Sequence, residues 1–127
     1  MASILVVDDT ADILDILTRQ LRYAGHHVIS AENGIDGLAC AQAHLPDLIV
    51  MDLVMPMLNG LDAIKQLKAD ARCAELPIIA ITACTLAETR EQAGAVGCDA
   101  FISKPFTMQE LLAAVDTLTG VAKIVAS

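Results

Sequence analysis

The sequence predicts an α/β fold with a mostly parallel sheet, and three observations lead there. Short, nearly continuous apolar runs recur at positions 4–7, 48–51, 77–81 and 100–103, with a more polar run at 27–30. Longer amphipathic stretches fill the intervals between them, and turn residues mark the junctions. Strand-like and helix-like periods that alternate in this way give βα units, whose right-handed crossovers place helices on both faces of a parallel sheet.

Taken in order, the run Ile4, Leu5, Val6, Val7 is apolar on both sides, as a strand covered on both faces must be. Ile13, Ile16, Leu17 and Leu21 then form one helical stripe, and Gly25 closes that stretch. The run at 27–30 passes into Ala31 and supplies no acid or base before Glu32, which suits an edge strand away from any site. Asn33 is placed to cap the second helix, and Pro46 follows its end. The fourth helical stretch, 86–96, carries Ala87, Ala93, Gly94 and Ala95 and ends at Gly97, so it is expected to be the most weakly anchored helix, with above-average mobility. Leu111, Leu112, Val115 and Leu118 make a last stripe that docks on the sheet.

A chain of 127 residues with no repeat or linker reads as one domain, 1–127, with 120–127 as a short tail. The longest apolar stretches, around 48–51 and 78–84, fall well short of the roughly 18 residues that cross a bilayer. The opening Met1-Ala2-Ser3-Ile4 has no cationic segment ahead of an apolar core, so the cytoplasm is the expected compartment. Eight basic against 16 acidic residues give a formal charge of −8, which repels nucleic-acid phosphates and anionic lipid; direct binding to either is not expected. Cys40, Cys73, Cys84 and Cys98 form no C-x-x-C pair, and His26, His27 and His44 do not stand at zinc-ligand spacing from them. They read as thiols packed as small hydrophobes.

Ligands of open parallel sheets bind beyond the carboxyl ends of the strands. The first strand runs into Asp8 and Asp9, the third into Asp52, the fourth into Thr82 and the fifth into Lys104. Together these are three carboxylates, a hydroxyl and an ammonium at one end of one sheet. Clustered carboxylates repel one another and either take up protons or recruit a cation. A hard divalent ion such as Mg²⁺ prefers oxygen ligands and is often shared between carboxylates and phosphate oxygens. A carboxylate can also act as nucleophile toward phosphorus, with a metal and a cationic side chain neutralising the phosphoryl charge. Asp52, the ion and Lys104 would supply those parts.

Asp8-Asp9, Asp52 within Asp52-Leu53-Val54-Met55-Pro56, Asn59-Gly60, Thr82-Ala83 and Phe101-Ile102-Ser103-Lys104-Pro105-Phe106 form an ordered set. With it the chain resembles the receiver domains of bacterial response regulators, the group that includes the chemotaxis regulator. The resemblance covers nearly the whole chain. It implies a flavodoxin-like doubly wound (βα)5 fold with strand order 2-1-3-4-5. It implies a phosphorelay switch, not an enzyme, in which Asp52 accepts a phosphoryl group from a histidine kinase, a histidine phosphotransfer protein or a small acyl phosphate. Asp8, Asp9, Asp52 and the backbone carbonyl of Val54 would hold Mg²⁺ or Mn²⁺. Lys104 would pair with Asp52, Thr82 would donate to a phosphoryl oxygen, and Lys104-Pro105 would be a cis peptide.

The resemblance further couples Thr82 to rotation of an aromatic at the place of Phe101. The readout face, made by the fourth helix, fifth strand and fifth helix, would meet a downstream protein; the sequence leaves open whether phosphorylation also drives a dimer through the fourth and fifth helices. Phe101 lacks the tyrosine hydroxyl often seen there, so its coupling must come from packing. Val54 and Cys84 stand where the family commonly has polar residues, which predicts a longer-lived phosphorylated state.

Three other readings fit the residues less well. A phosphohydrolase of the haloacid dehalogenase type would need a second Asp two residues after the nucleophile, where this chain has Val54. A flavin-binding protein of similar fold would need a hydroxyl-rich phosphate cradle where Asp8 and Asp9 stand. A degenerate receiver that only binds would not be expected to keep Asp8, Asp9, Asp52, Thr82 and Lys104 together.

Overall fold

A computed structural model of the chain describes residues 2–53, 60–83 and 87–119, the side chains of 87–90 excepted. The elements alternate as expected: β1 (Ser3–Val7), α1 (Ala11–Tyr23), β2 (His27–Ala31), α2 (Gly34–His44), β3 (Leu48–Asp52), α3 (Gly60–Ala69), β4 (Ile78–Thr82), α4 (Ala87–Ala95), β5 (Ala100–Ser103) and α5 (Met108–Thr119). The five strands form one sheet of order β2-β1-β3-β4-β5, and every pairing is parallel. That is the doubly wound order the family resemblance implied, with β2 at an edge.

Strand residues alternate between two apolar layers because successive side chains point to opposite faces. Leu5, Val7, Ile49 and Met51 face α2 and α3, where Ala41, Ala63, Ile64 and Leu67 meet them. Ile4, Val6, Leu48, Val50, Ile79 and Ile81 face α1 and α5, against Leu14, Leu17, Leu21, Leu111 and Val115. Each fully buried Leu or Ile contributes about 1.5–3 kcal/mol relative to exposure, so the two layers hold the strands in a fixed register. Among the described side chains of α4, Ala93 alone is buried, in keeping with its small residues.

The punctuation also follows the sequence. Asn33 caps α2, its side-chain oxygen accepting from the Asp36 amide at 2.8 Å, and Gly25 and Gly97 take positive φ just past α1 and α4. One stripe is corrected. The inward face of α1 is Leu14, Leu17 and Leu21, while Ile16 is 51% exposed. Pro77 precedes β4 rather than opening it, although its carbonyl accepts from the Ile49 amide at 3.0 Å.

Candidate functional site

Parallel register brings the strand ends to one level. Val7 lies opposite Met51, so Asp8 follows one strand beside Asp52 in the next. Asp52 lies opposite Ile81, and Thr82 opposite Ser103, so Thr82 and Lys104 stand one residue further along their own strands. The backbone holds each end in place: the Asp8 amide donates to the Ala31 carbonyl at 3.2 Å, Leu53 to Ile81 at 2.9 Å, and Lys104 to Thr82 at 2.7 Å.

Asp8 and Thr82 are fully buried and Asp52 is 5% exposed, the buried polar residues among those described, in an otherwise apolar interior. Buried carboxylates need partners. The Lys104 ammonium supplies one to each, donating to Asp8 Oδ2 at 3.1 Å and to Asp52 Oδ2 at 3.2 Å. The other oxygen of Asp8 accepts from the Thr10 amide at 2.9 Å, at the entry to α1. Burial pulls the Lys104 ammonium below the usual lysine range, but its hydrogen bond to Asp8 and the attraction of Asp52 more than offset that and leave it raised. It stays charged at neutral pH.

One carboxylate oxygen from each of Asp8, Asp9 and Asp52 lies within 4.8 Å of the others, with Asp9 exposed to solvent. Three hard oxygens this close together, with the Lys104 ammonium on two of the three carboxylates, leave an excess of negative charge that suits a hydrated Mg²⁺ or Mn²⁺. The residues present fit that ion. The Val54 carbonyl, Asn59 and Cys84 fall outside the described residues.

Residues 4–116 match the family described as the response regulator receiver domain. The chain belongs to that family. Receiver domains of two-component systems are signalling switches, and the acidic cluster of this receiver is compatible with Mg²⁺. It is 37% identical to Protein PilH of Pseudomonas aeruginosa over 118 residues, 93% of this chain and 98% of that protein. The Vibrio cholerae chemotaxis protein CheY4 has a similar structure, with a TM-score of 0.88 at 31% identity over 93% of this chain and 98% of its own. So does the receiver domain of sensor histidine kinase PA1611 from Pseudomonas aeruginosa PAO1, at a TM-score of 0.88 and 30% identity over 94% and 98%. That domain has a magnesium ion coordinated in its active site cleft.

Beyond the polar cluster, the receiver shows the Lys104-Pro105 peptide in the cis form. Phe101 is half-buried on β5 and packs on the layer facing α2 and α3. Of the described cysteines, Cys73 is buried and Cys40 and Cys98 partly so, and none is in a disulfide. No helix among the described residues is long and apolar enough to cross a membrane.

One feature escaped the sequence. An apolar cleft of about 400 Å³ adjoins Lys104, walled by Ile13, Ile16 and Leu17 of α1 and by Ala83, Pro105, Phe106 and Met108. Ile16 read as part of the sheet-facing stripe, and the signal available was a helix with more large apolar residues than one face can bury.

Proposed function

We propose that this receiver is switched by phosphorylation of Asp52, with a histidine kinase or histidine phosphotransfer protein as donor and a protein target downstream. The observation that carries the reading is the convergence, on the nearly buried Asp52, of two further carboxylates and a partly buried ammonium. An Asp52 oxygen attacks phosphorus, a P–O bond forms, and the bond from phosphorus to the donor imidazole nitrogen breaks, the freed imidazole keeping that electron pair. With acetyl phosphate the leaving group is acetate.

Asp8, Asp9 and Asp52 would hold Mg²⁺, or Mn²⁺ in its place, and the ion when bound offsets the charge of the phosphoryl oxygens. Lys104 already faces Asp52 and moves from carboxylate to phosphoryl oxygen, holding the transferred group from the other side. Thr82, at the end of β4, presents its hydroxyl to a second phosphoryl oxygen. Its shift is transmitted to Phe101 through packing, biasing the face of α4, β5 and α5 that meets the target and serves a phosphorylation-dependent dimer. The apolar cleft beside Lys104, with half-exposed Ile16 on its wall, is the surface on which the donor protein lands.

Incubation with acetyl phosphate, with and without Mg²⁺, followed by intact mass measurement, tests this reading. The expected result is a gain of one phosphoryl group that requires Mg²⁺ and is absent in Asp52→Asn. An unchanged mass, or equal uptake by the variant, would refute it.

A further inference from the structure

Gly60, the first residue of α3, lies directly against the backbone of Asp52. A Cβ built on it would overlap the Asp52 carbonyl oxygen and come within 2.6 Å of Leu53 Cα and 3.0 Å of the Asp52 carbonyl carbon. Real side chains do not make such approaches, and the atoms in the way are backbone, which cannot swing aside as the end of a flexible side chain can. The Gly60 amide meanwhile donates to the Leu53 carbonyl at 3.0 Å, while the Leu53 amide donates to the Ile81 carbonyl at 2.9 Å. Leu53, the residue just after Asp52, is thus pinned through its amide to β4 and through its carbonyl to the start of α3.

Gly37 shows the contrast. A Cβ there would come 2.8 Å from Val7 Cγ2, so the neighbour is a side chain next to an acidic residue rather than the backbone of one. At Gly60 any added atom must either push the start of α3 off the Leu53 carbonyl or displace the Asp52-Leu53 backbone. Displacement would turn the Asp52 carboxylate away from Lys104, now 3.2 Å distant, and from the oxygens of Asp8 and Asp9.

We infer that Gly60 is a positioning residue for the phosphoacceptor: its missing side chain lets α3 press on the Asp52 backbone and sets the direction in which the carboxylate points. The inference rests on the reading of Asp52 as the phosphorylated residue. Misplacing a reacting group by about an ångström, or disturbing the support of a metal ligand, costs on the order of ten to a hundredfold. Gly60→Ala should therefore lower both the rate of phosphorylation by acetyl phosphate and the affinity for Mg²⁺ by about tenfold or more.

The measurements are Mg²⁺ titration followed by NMR and phosphorylation followed by intact mass, on the full chain at a temperature where far-UV circular dichroism shows it folded. Leu21→Ala is the stability control. It opens a cavity under the far end of α1, at the opposite end of the sheet, and should lower the melting temperature while leaving Mg²⁺ affinity and phosphorylation rate unchanged. A Gly60→Ala protein that matches wild type in both readouts overturns the inference, whatever its melting temperature. Should the variant need an osmolyte to fold, the comparison is made in trimethylamine N-oxide against wild type in the same solvent, and the same criterion decides. Failure of wild type itself to take up a phosphoryl group would instead defeat the reading of Asp52, so the two failures are distinct.

Discussion

Lys104 Nζ stands 3.2 Å from Asp52 Oδ2, an ion pair between residues 52 positions apart in the chain. The same ammonium reaches Asp8 Oδ2 at 3.1 Å, so one cation ties β5 to β3 and β1 across the carboxyl end of the sheet. Removing it deprives two buried carboxylates of the cation they share. Breaking a buried pair costs about 3–5 kcal/mol, and because the Lys104 side chain retains 20% of its exposure a loss of about 2–4 kcal/mol is expected for Lys104→Met in EDTA. Urea unfolding checks this, and a loss below that range would mean that the carboxylates are solvated without the lysine.

The pH dependence of that pair has a definite sign. The folded-state pKa of Lys104 is raised above its ordinary 10.5, because hydrogen bonding to Asp8 and the attraction of both carboxylates outweigh burial. A raised value means stability that is complete below the unfolded pKa and is lost as pH rises through the folded one. The stability difference between wild type and Lys104→Met, in EDTA, should be flat from about pH 7 to about pH 10 and shrink at higher pH. A difference that already shrinks near neutrality would contradict the pairing.

Metal should act on stability through the same carboxylates. At a hundredfold excess over its dissociation constant, Mg²⁺ should stabilise the fold by about 2.7 kcal/mol. Asp9→Asn removes the exposed member of the cluster and should abolish most of that gain while leaving the metal-free melting temperature unchanged or slightly higher, since repulsion is relieved. Thermal melts with and without Mg²⁺ report both. An undiminished gain in Asp9→Asn would remove Asp9 from the ligand set.

The cleft beside Lys104 separates two kinds of donor. Ile16→Asn should cost about 1 kcal/mol or less, because the side chain is already half exposed. It should raise the KM for a phosphohistidine-bearing phosphotransfer protein about tenfold and leave the rate with acetyl phosphate unaltered. Equal effects on the protein and the small donor would mean that the substitution acts on the chemistry, not on docking.

How far the sequence was legible follows from what each feature depends on. The strand ends came within a residue of their positions because continuous β-branched runs and turn residues are local signals. Strand order came only with the family resemblance, since five βα units can be wound in several ways. Of the α1 stripe, Ile13, Leu17 and Leu21 do meet the core, while Ile16 was misplaced and Leu14 missed, because both are spaced plausibly from Leu17 and Leu21 and only docking on the sheet decides which turns inward. Lys104 was expected to face Asp52, but its equal contact with Asp8 depends on the register that sets Val7 opposite Met51. Likewise Gly60 was visible only as part of the family-like set, while its pressure on the Asp52 backbone exists only after α3 is packed.

Borohydride trapping tests the central claim most directly. An acyl phosphate is reduced to the alcohol, so after treatment with acetyl phosphate and Mg²⁺ a phosphorylated aspartate becomes homoserine, which peptide mass mapping places in the chain. The account predicts homoserine at position 52 and nowhere else. Homoserine at Asp8 or Asp9, or unreduced aspartate throughout, would contradict it.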